Sequence, residues 1–279
     1  MDDLEYNYIK HQIRQLLDVD LNQYKAPQMQ RRLKAYLART GQPIWPKFFR
    51  SLRTDPVQLS KFKDYLTINV SSFFRDTEKY NFLQRSALPE LLRNNTTLRV
   101  WSAGCSRGQE AYSLAMLLTN ASNGSFSHRI LATDIDQSAL AWAKAGGPYT
   151  ADDVAGLPPH FRVNYLETKD NHYWVKNDLR QKVSFRAHNL LDDSMAGKFD
   201  LIVCRNVVIY FQAEAKQKLY HRFYDSLKPG GILFVGGTEI VPKATEMGFE
   251  TLHVSFYRRR DARRHSPNGR QSTPTMRTR

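Results

Sequence analysis

The run Leu98-Arg99-Val100-Trp101-Ser102-Ala103-Gly104-Cys105-Ser106-Arg107-Gly108-Gln109-Glu110 constrains the fold more than any other stretch. A short apolar strand, Leu98 to Ser102, enters a turn of small residues. A helix then begins, with Glu110, Ala111, Tyr112, Leu114, Ala115 and Leu118 at helical spacing on one face. Glycine in the turn lets backbone approach a ligand without Cβ clashes. A strand, a tight turn and a helix in this order open a doubly wound sheet at the point where a nucleotide-like ligand binds.

Further along, Ile130-Leu131-Ala132-Thr133-Asp134-Ile135-Asp136 reads as a second strand ending in acid. A carboxylate there can hold the two hydroxyls of a ribose. Gly104 and Gly108 are spaced GxxxG rather than GxGxxG, which disfavours a dinucleotide, and there is no GK[ST] for a phosphate cradle. These signals alone do not choose between S-adenosylmethionine and a nicotinamide nucleotide.

The chain organises into three parts. Residues 1 to about 85 read as short helices, with one stripe of Tyr8, Ile9, Ile13, Leu16 and Leu17 and another of Met29, Leu33, Tyr36 and Leu37. The second stripe is interleaved with Arg31, Arg32, Lys34 and Arg39, giving a basic face able to dock an acidic helical partner. Pro27, Pro43 and Pro46 lie near helix starts or between helices. From about residue 86 strands alternate with helices, which means a mostly parallel sheet covered on both faces. Lys182 to Ala187, Phe199 to Arg205 and Ile232 to Gly236 read as strands. Ala213 to Leu227 reads as a helix stopped by Lys228-Pro229-Gly230-Gly231. Between Gly146 and Lys182 the rhythm breaks, and His172-Tyr173-Trp174-Val175-Lys176 suggests one arm of a small inserted hairpin near the ligand-binding edge.

Composition excludes several classes. No apolar run reaches the roughly 18 residues of a membrane span. The acidic, polar start Met1-Asp2-Asp3-Leu4-Glu5 is not a signal peptide. Two cysteines, Cys105 and Cys204, suggest a reduced cytoplasmic setting. Scattered histidines without an HxxxH or CxxC pair give no metal site. The net charge is +14, and eight arginines against one aspartate lie from Arg258 onward, in what reads as a disordered basic tail over 258–279. The remaining body is moderately basic and compatible with an acidic protein substrate.

Six blocks then line up: Asn69-Val70-Ser71-Ser72-Phe73-Phe74-Arg75-Asp76; Ser102 to Ser113; Ala132-Thr133-Asp134-Ile135-Asp136; Asn189-Leu190-Leu191; Cys204-Arg205-Asn206-Val207-Val208-Ile209-Tyr210-Phe211; and Leu227-Lys228-Pro229-Gly230-Gly231 with Gly237-Thr238-Glu239. Together they resemble the chemotaxis receptor glutamate O-methyltransferases, the CheR type, over residues 5 to 257. The resemblance implies a Rossmann-like class I methyltransferase sheet with an N-terminal helical receptor-docking domain and linker (1–85) and a small inserted antiparallel β-subdomain (about 146–182 within 86–257). It also implies a bacterial, cytoplasmic, monomeric enzyme. It would transfer the methyl group of S-adenosylmethionine to glutamate side chains on the cytoplasmic helices of chemoreceptors, leaving S-adenosylhomocysteine. Glutamate is ionised at neutral pH, with a free pKa of about 4.3, so no general base is needed.

Roles follow from the matched blocks. Asp134 would take the ribose hydroxyls, while Asp136 suits capping of the next helix. Asn69, Ser71 and Arg75 match a cofactor motif, and Arg75 can pair a carboxylate bidentately. Gly104 lies in the cofactor turn. Glu110 would face the cofactor, since a buried unpaired carboxylate is costly. Asn189 and Leu190 would border adenine, and Arg205 and Asn206 the methyl donor. Tyr210 and Arg75 are the catalytic candidates, Tyr210 steering the substrate carboxylate. Arg31, Arg32 and Lys34 are candidates for substrate docking. Phe73 and Phe74 read as packing. Ser71 replaces the usual threonine, and Gln109-Glu110 the usual Glu-Glu. The insert between Tyr165 and Leu179 is short and lacks a glycine-rich hairpin loop, which resembles the pentapeptide-independent group. Two rivals stay open: a nucleic-acid methyltransferase, weakened by the lack of an Asn-Pro-Pro-Tyr run, and a non-catalytic S-adenosylmethionine-sensing module.

Overall fold

The structure, a computed structural model, describes residues 1–67, 71–93, 95–122, 126–195 and 197–260. Four helices open the chain: α1 (Asp3–Leu17), α2 (Ala26–Thr40), α3 (Trp45–Thr54) and α4 (Pro56–Thr67). Local chemistry sets their ends. The Asp2 carboxylate accepts the Glu5 N–H and starts α1. Pro27 and Pro46 occupy first turns, where no N–H is required. Gly41 takes the left-handed turn that ends α2. Ile9 and Ile13 pack against Met29, Leu33, Phe48 and Phe62 in a core of their own. On α1 it is Tyr6 that turns inward, not the expected Tyr8, which stays exposed.

The chain continues through α5 (Thr77–Phe82), a π-helical turn and α6 (Leu88–Arg93) into β1 (Arg99–Ala103), α7 (Gln109–Ala121), β2 (Arg129–Asp134) and α8 (Gln137–Ala145). Next come α9 (Pro159–Tyr165), the hairpin of β3 (Leu166–Lys169) and β4 (His172–Val175), and α10 (Asn177–Arg180). Strands β5 (Val183–Ala187) and β6 (Phe199–Cys204), helix α11 (Ala213–Ser226), and strands β7 (Leu227–Val235), β8 (Phe249–His253) and β9 (Phe256–Arg259) complete it.

The main sheet has the order β5-β2-β1-β6-β7-β9-β8. Strands β5 to β7 run parallel, and β9 is antiparallel to both its neighbours. The order reverses between β1 and β6, where an α/β sheet leaves a crevice at its carboxyl edge. Because side chains alternate along a strand, the two faces have separate cores. Val100, Ala132, Leu201 and Phe234 meet Leu114 and Leu118 of α7. Trp101, Ile202, Cys204 and Leu233 meet Leu219 and Phe223 of α11.

Three expectations require correction. The helical unit does not extend to residue 85: its core closes at Leu66, and Phe73, Phe74, Tyr80 and Leu83 belong to the core of the sheet. Lys228-Pro229-Gly230-Gly231 does not act as a helix stop. Helix α11 ends at Ser226, and these residues begin β7, whose register against β6 shifts between Phe199 and Leu201. Lys228 Nζ lies 2.8 Å from the buried Asp200 carboxylate, which also accepts the Arg99 N–H at 2.7 Å. The basic tail does not start at 258, because β9 carries Arg258 and Arg259. Arg258 pairs with Glu90 at 2.6 Å, and Arg259 donates to the Leu227 carbonyl at 2.6 Å. The rest of the expected tail, 261–279, lies outside the described residues. The inserted hairpin is present and turns on two residues, Asp170 and Asn171, both at positive φ as a type I′ turn requires. The insert lies beside the ligand-binding edge, as expected: the Tyr149 hydroxyl donates to the Arg107 carbonyl at 2.6 Å and Asp153 accepts the Gln109 amide at 3.1 Å, although no residue of 146–182 lines the cleft described below.

No described helix is long and apolar enough to cross a membrane. The helical unit depends on Phe62, fully buried with ring centroids 5.0 Å from both Phe48 and Tyr36. Phe62→Ala is expected to lower unfolding free energy by about 3–5 kcal/mol in urea titration; a loss near zero would show that the aromatic cluster is not what holds this unit.

Candidate functional site

The β1–α7 turn is tied to the end of β2. The Gly104 and Cys105 N–H groups both donate to the Thr133 carbonyl, at 2.8 and 2.9 Å. Gly104 has φ of 83°, and a Cβ there would lie 2.5 Å from Val207 Cγ2, so only glycine suits this position. The same turn orients Asp134. Its carboxylate accepts the Ser106 N–H at 2.7 Å and the Asp136 N–H at 3.0 Å. Burial pushes the Asp134 carboxyl above its ordinary range, and these N–H groups oppose that shift. Asp136 caps α8 through the Ser138 and Ala139 N–H groups and accepts the Thr67 hydroxyl at 2.8 Å.

Glu110, 7% exposed, sits in the first turn of α7 and accepts the Ser102 hydroxyl at 2.7 Å. Arg205, 6% exposed at the end of β6, lies 3.7 Å from the other Glu110 oxygen. It donates to Asp76 at 2.5 Å and to the Arg75 carbonyl at 2.7 Å. Its guanidinium also lies over the Tyr80 and Phe234 rings, at 5.3 and 4.9 Å from their centroids. Glu110 therefore has internal partners, and its burial alone does not require a ligand.

One cleft of about 1170 Å³, counting its mouth, opens above these groups at the carboxyl edge. Ser71, Arg75, Gly104, Glu110, Asp134, Asn189, Leu190, Arg205, Asn206 and Tyr210 all line it. Asn69 lies outside the described residues. Phe73 and Phe74 are buried in aromatic packing, as expected. The Asn189 side chain is engaged by its own loop: its amide donates to Asp192 at 2.7 Å and accepts the Leu191 N–H at 3.1 Å. Of the docking candidates on α2, Arg31 and Lys34 are exposed. Arg32 is instead half-buried, with its guanidinium over the Tyr65 ring and bonded to the Tyr65 carbonyl.

Residues that the sequence did not assign to the site also line the cleft, and many come from the helical unit: Leu17, Leu21, Tyr24, Met29, Lys63 and Thr67. Tyr24 forms an isolated bridge with Phe211 and stacks edge-on against it at 5.2 Å, while the Lys25 N–H donates to the Tyr210 carbonyl. Arg14 and Gln23 both reach Asp192 beside the Asn189 loop. No local motif marks these residues, because apolar helix positions look the same whether they face a core or a ligand.

Oriented carboxylates next to an arginine and a serine suit a ligand that carries a diol, a cationic centre and a carboxylate. They disfavour a polyphosphate. Among the described residues no His, Cys, Asp and Glu side chains gather as a metal site.

The strand order, the final antiparallel strand and a cleft of this kind define a class I S-adenosylmethionine-dependent methyltransferase. The chain belongs to the CheR methyltransferase family: residues 69–257 match its "SAM binding domain" and residues 4–67 its "all-alpha domain". The chemotaxis protein methyltransferase of Listeria monocytogenes is 40% identical over 254 residues, 91% of this chain and 96% of that one. Chemotaxis protein methyltransferase 1 of Pseudomonas aeruginosa is 44% identical over 185 residues, 63% of this chain and 68% of that one. A TehB-like SAM-dependent methyltransferase from Corynebacterium glutamicum has a TM-score of 0.38 at 14% identity, covering 66% of this chain and 94% of that one, a likeness too slight to carry an argument. The cofactor is S-adenosylmethionine.

Burial also raises the Glu110 carboxyl above its ordinary value of 4.5, against the pull of Arg205 and Ser102. The folded state thus holds this proton more tightly than the unfolded chain, and the stability so gained is lost as pH rises from 4.5 through the folded value. Glu110→Gln lacks that dependence, so its stability relative to wild type is expected to rise over this interval in urea titrations at successive pH values. A difference independent of pH contradicts the assignment.

Proposed function

We propose that this chain methylates glutamate side chains of chemoreceptor helices, forming glutamyl methyl esters. The observation that carries the reading is the convergence of five of the six matched blocks on one cleft, beside an exposed basic helix face. In the cleft, Asp134 would hold the ribose hydroxyls, and Ser71 and Arg75, with Asn69, the amino-acid end of the cofactor. Asn189 and Leu190 would border the base, the Asn189 amide giving one N–H to Asp192 and keeping hydrogen-bonding capacity for the base edge. Glu110, Gly104, Arg205 and Asn206 would surround the methyl-donor centre.

S-adenosylmethionine supplies an activated methyl group on a cationic sulfur. What remains for the protein is geometry. Bound in the cleft, the cofactor would supply both the methyl group and a neutral sulfur leaving group, and the protein would need only to present a glutamate oxygen in line with them. Tyr210 and Arg75, at the cleft wall, would orient the incoming carboxylate, and apolar neighbours such as Val207 and Phe211 keep water off that line. Alignment alone is worth on the order of 7–11 kcal/mol, which is why no general base or nucleophilic triad is required.

The test is transfer of labelled methyl from S-adenosylmethionine to receptor cytoplasmic fragments. Base-labile label on glutamates is expected. Label on nucleic acid, or cofactor binding without transfer, overturns the reading in favour of one of its two rivals. Receptor docking rests on Arg31 and Lys34, Arg32 being committed to Tyr65. Reversing both charges (Arg31→Glu with Lys34→Glu) is expected to raise the Michaelis constant for receptor by about threefold or more while leaving cofactor affinity unchanged; an unaltered constant removes α2 from the docking surface. The two-residue β3–β4 turn fits a pentapeptide-independent mode, in which a free pentapeptide shows no binding by calorimetry.

A further inference from the structure

The block Gly237-Thr238-Glu239 has no part in the mechanism above, yet Glu239 is a carboxylate only 5% exposed. It lies just past β7 and reaches the loop that follows β6. Its Oε2 accepts the Asn206 N–H at 3.0 Å and the Gly236 N–H at 2.6 Å. Asn206 stands at φ of 58°, in the left-handed region that asparagine adopts more readily than other non-glycine residues. Gly236 makes the room: a Cβ there would fall 2.6 Å from Glu239 Oε2 and 2.9 Å from the Asn206 nitrogen.

We propose that Glu239 is a positioning residue for methyl transfer, clamping the Asn206–Tyr210 loop to the end of β7 so that Asn206 and Tyr210 face the cleft in fixed register. Three observations separate this clamp from simple packing. An apolar side chain would fill the space without desolvating a charge. Among the described residues, Glu239 Oε1 and Asn206 Oδ1 find no hydrogen-bond partner, a cost that an apolar pair would avoid. The clamped loop holds both Asn206 and Tyr210 of the cleft wall. The inference rests on the proposed glutamate methylation for its kinetic arm only.

The experiment uses the full chain with Glu239→Gln, which keeps the size of the side chain and removes its charge. Gly236→Ala serves as a second variant that crowds the clamp and leaves the carboxylate in place. Hydrogen exchange of segment 205–211 is expected to speed up at least tenfold in both, with β6 unchanged. Affinity for S-adenosylhomocysteine, read by calorimetry, is expected to stay at the wild-type value. Receptor methylation is expected to fall on the order of tenfold to a hundredfold in kcat/KM, as for a small misplacement of reacting groups. Unchanged exchange overturns the proposal, as does unchanged kcat/KM in a wild-type-active assay. Parallel loss of cofactor affinity and thermal stability, the mark of a merely structural part, overturns it too. Should wild type itself label no receptor, the function reading fails and the exchange and calorimetry arms still decide the clamp.

Discussion

A single guanidinium holds the site together. Arg205 is buried at the end of β6, where a charge is tolerable only if its donors find partners. Its partners come from three distant stretches: Asp76 and the Arg75 carbonyl before the sheet, Glu110 at the start of α7, and the rings of Tyr80 and Phe234. Satisfying that charge therefore draws the segment ahead of β1 against the carboxyl edge. Ser71 and Arg75 reach the cleft as a result. The same contacts explain why residues 71–93 pack with the sheet rather than with the helices they follow.

The cleft is built from carboxylates that are already aimed. Asp134 is fixed by the Ser106 and Asp136 N–H groups and Glu110 by Ser102 and Arg205, while Glu239, outside the cleft lining, is fixed by Asn206 and Gly236. Burial raises the pKa of all three, and hydrogen-bond donors or cations restrain each rise. Groups held in this way need little reorganisation when charge shifts nearby, which is the useful property of a preorganised polar site.

Much of this was legible before any coordinates. The Gly104 turn and the acid at Asp134 carry their meaning locally, since a tight βα turn and a strand end depend on neighbours in sequence. Blocks scattered from Ser71 to Tyr210 were expected to meet, and they do. What escaped depends on partners far along the chain. Pro229-Gly230-Gly231 reads as a stop until β6 supplies the bulged strand pairing. Arg258 reads as tail until Glu90 is seen beside it. Arg32 reads as a surface charge until Tyr65 of α4 lies under its guanidinium. Leu21, Tyr24 and Met29 look like ordinary core, and only the docking of the helical unit turns them into cleft wall.

Helix α2 bears on both sides of this design. Met29 contributes to the inner wall, and Arg31, two positions on, projects from the outer flank of the same helix. A hydrogen-bonded rod of this length does not flex between adjacent residues. Whatever grips the outside therefore shares one lever with the chamber inside, and neither end of that lever shifts without the other.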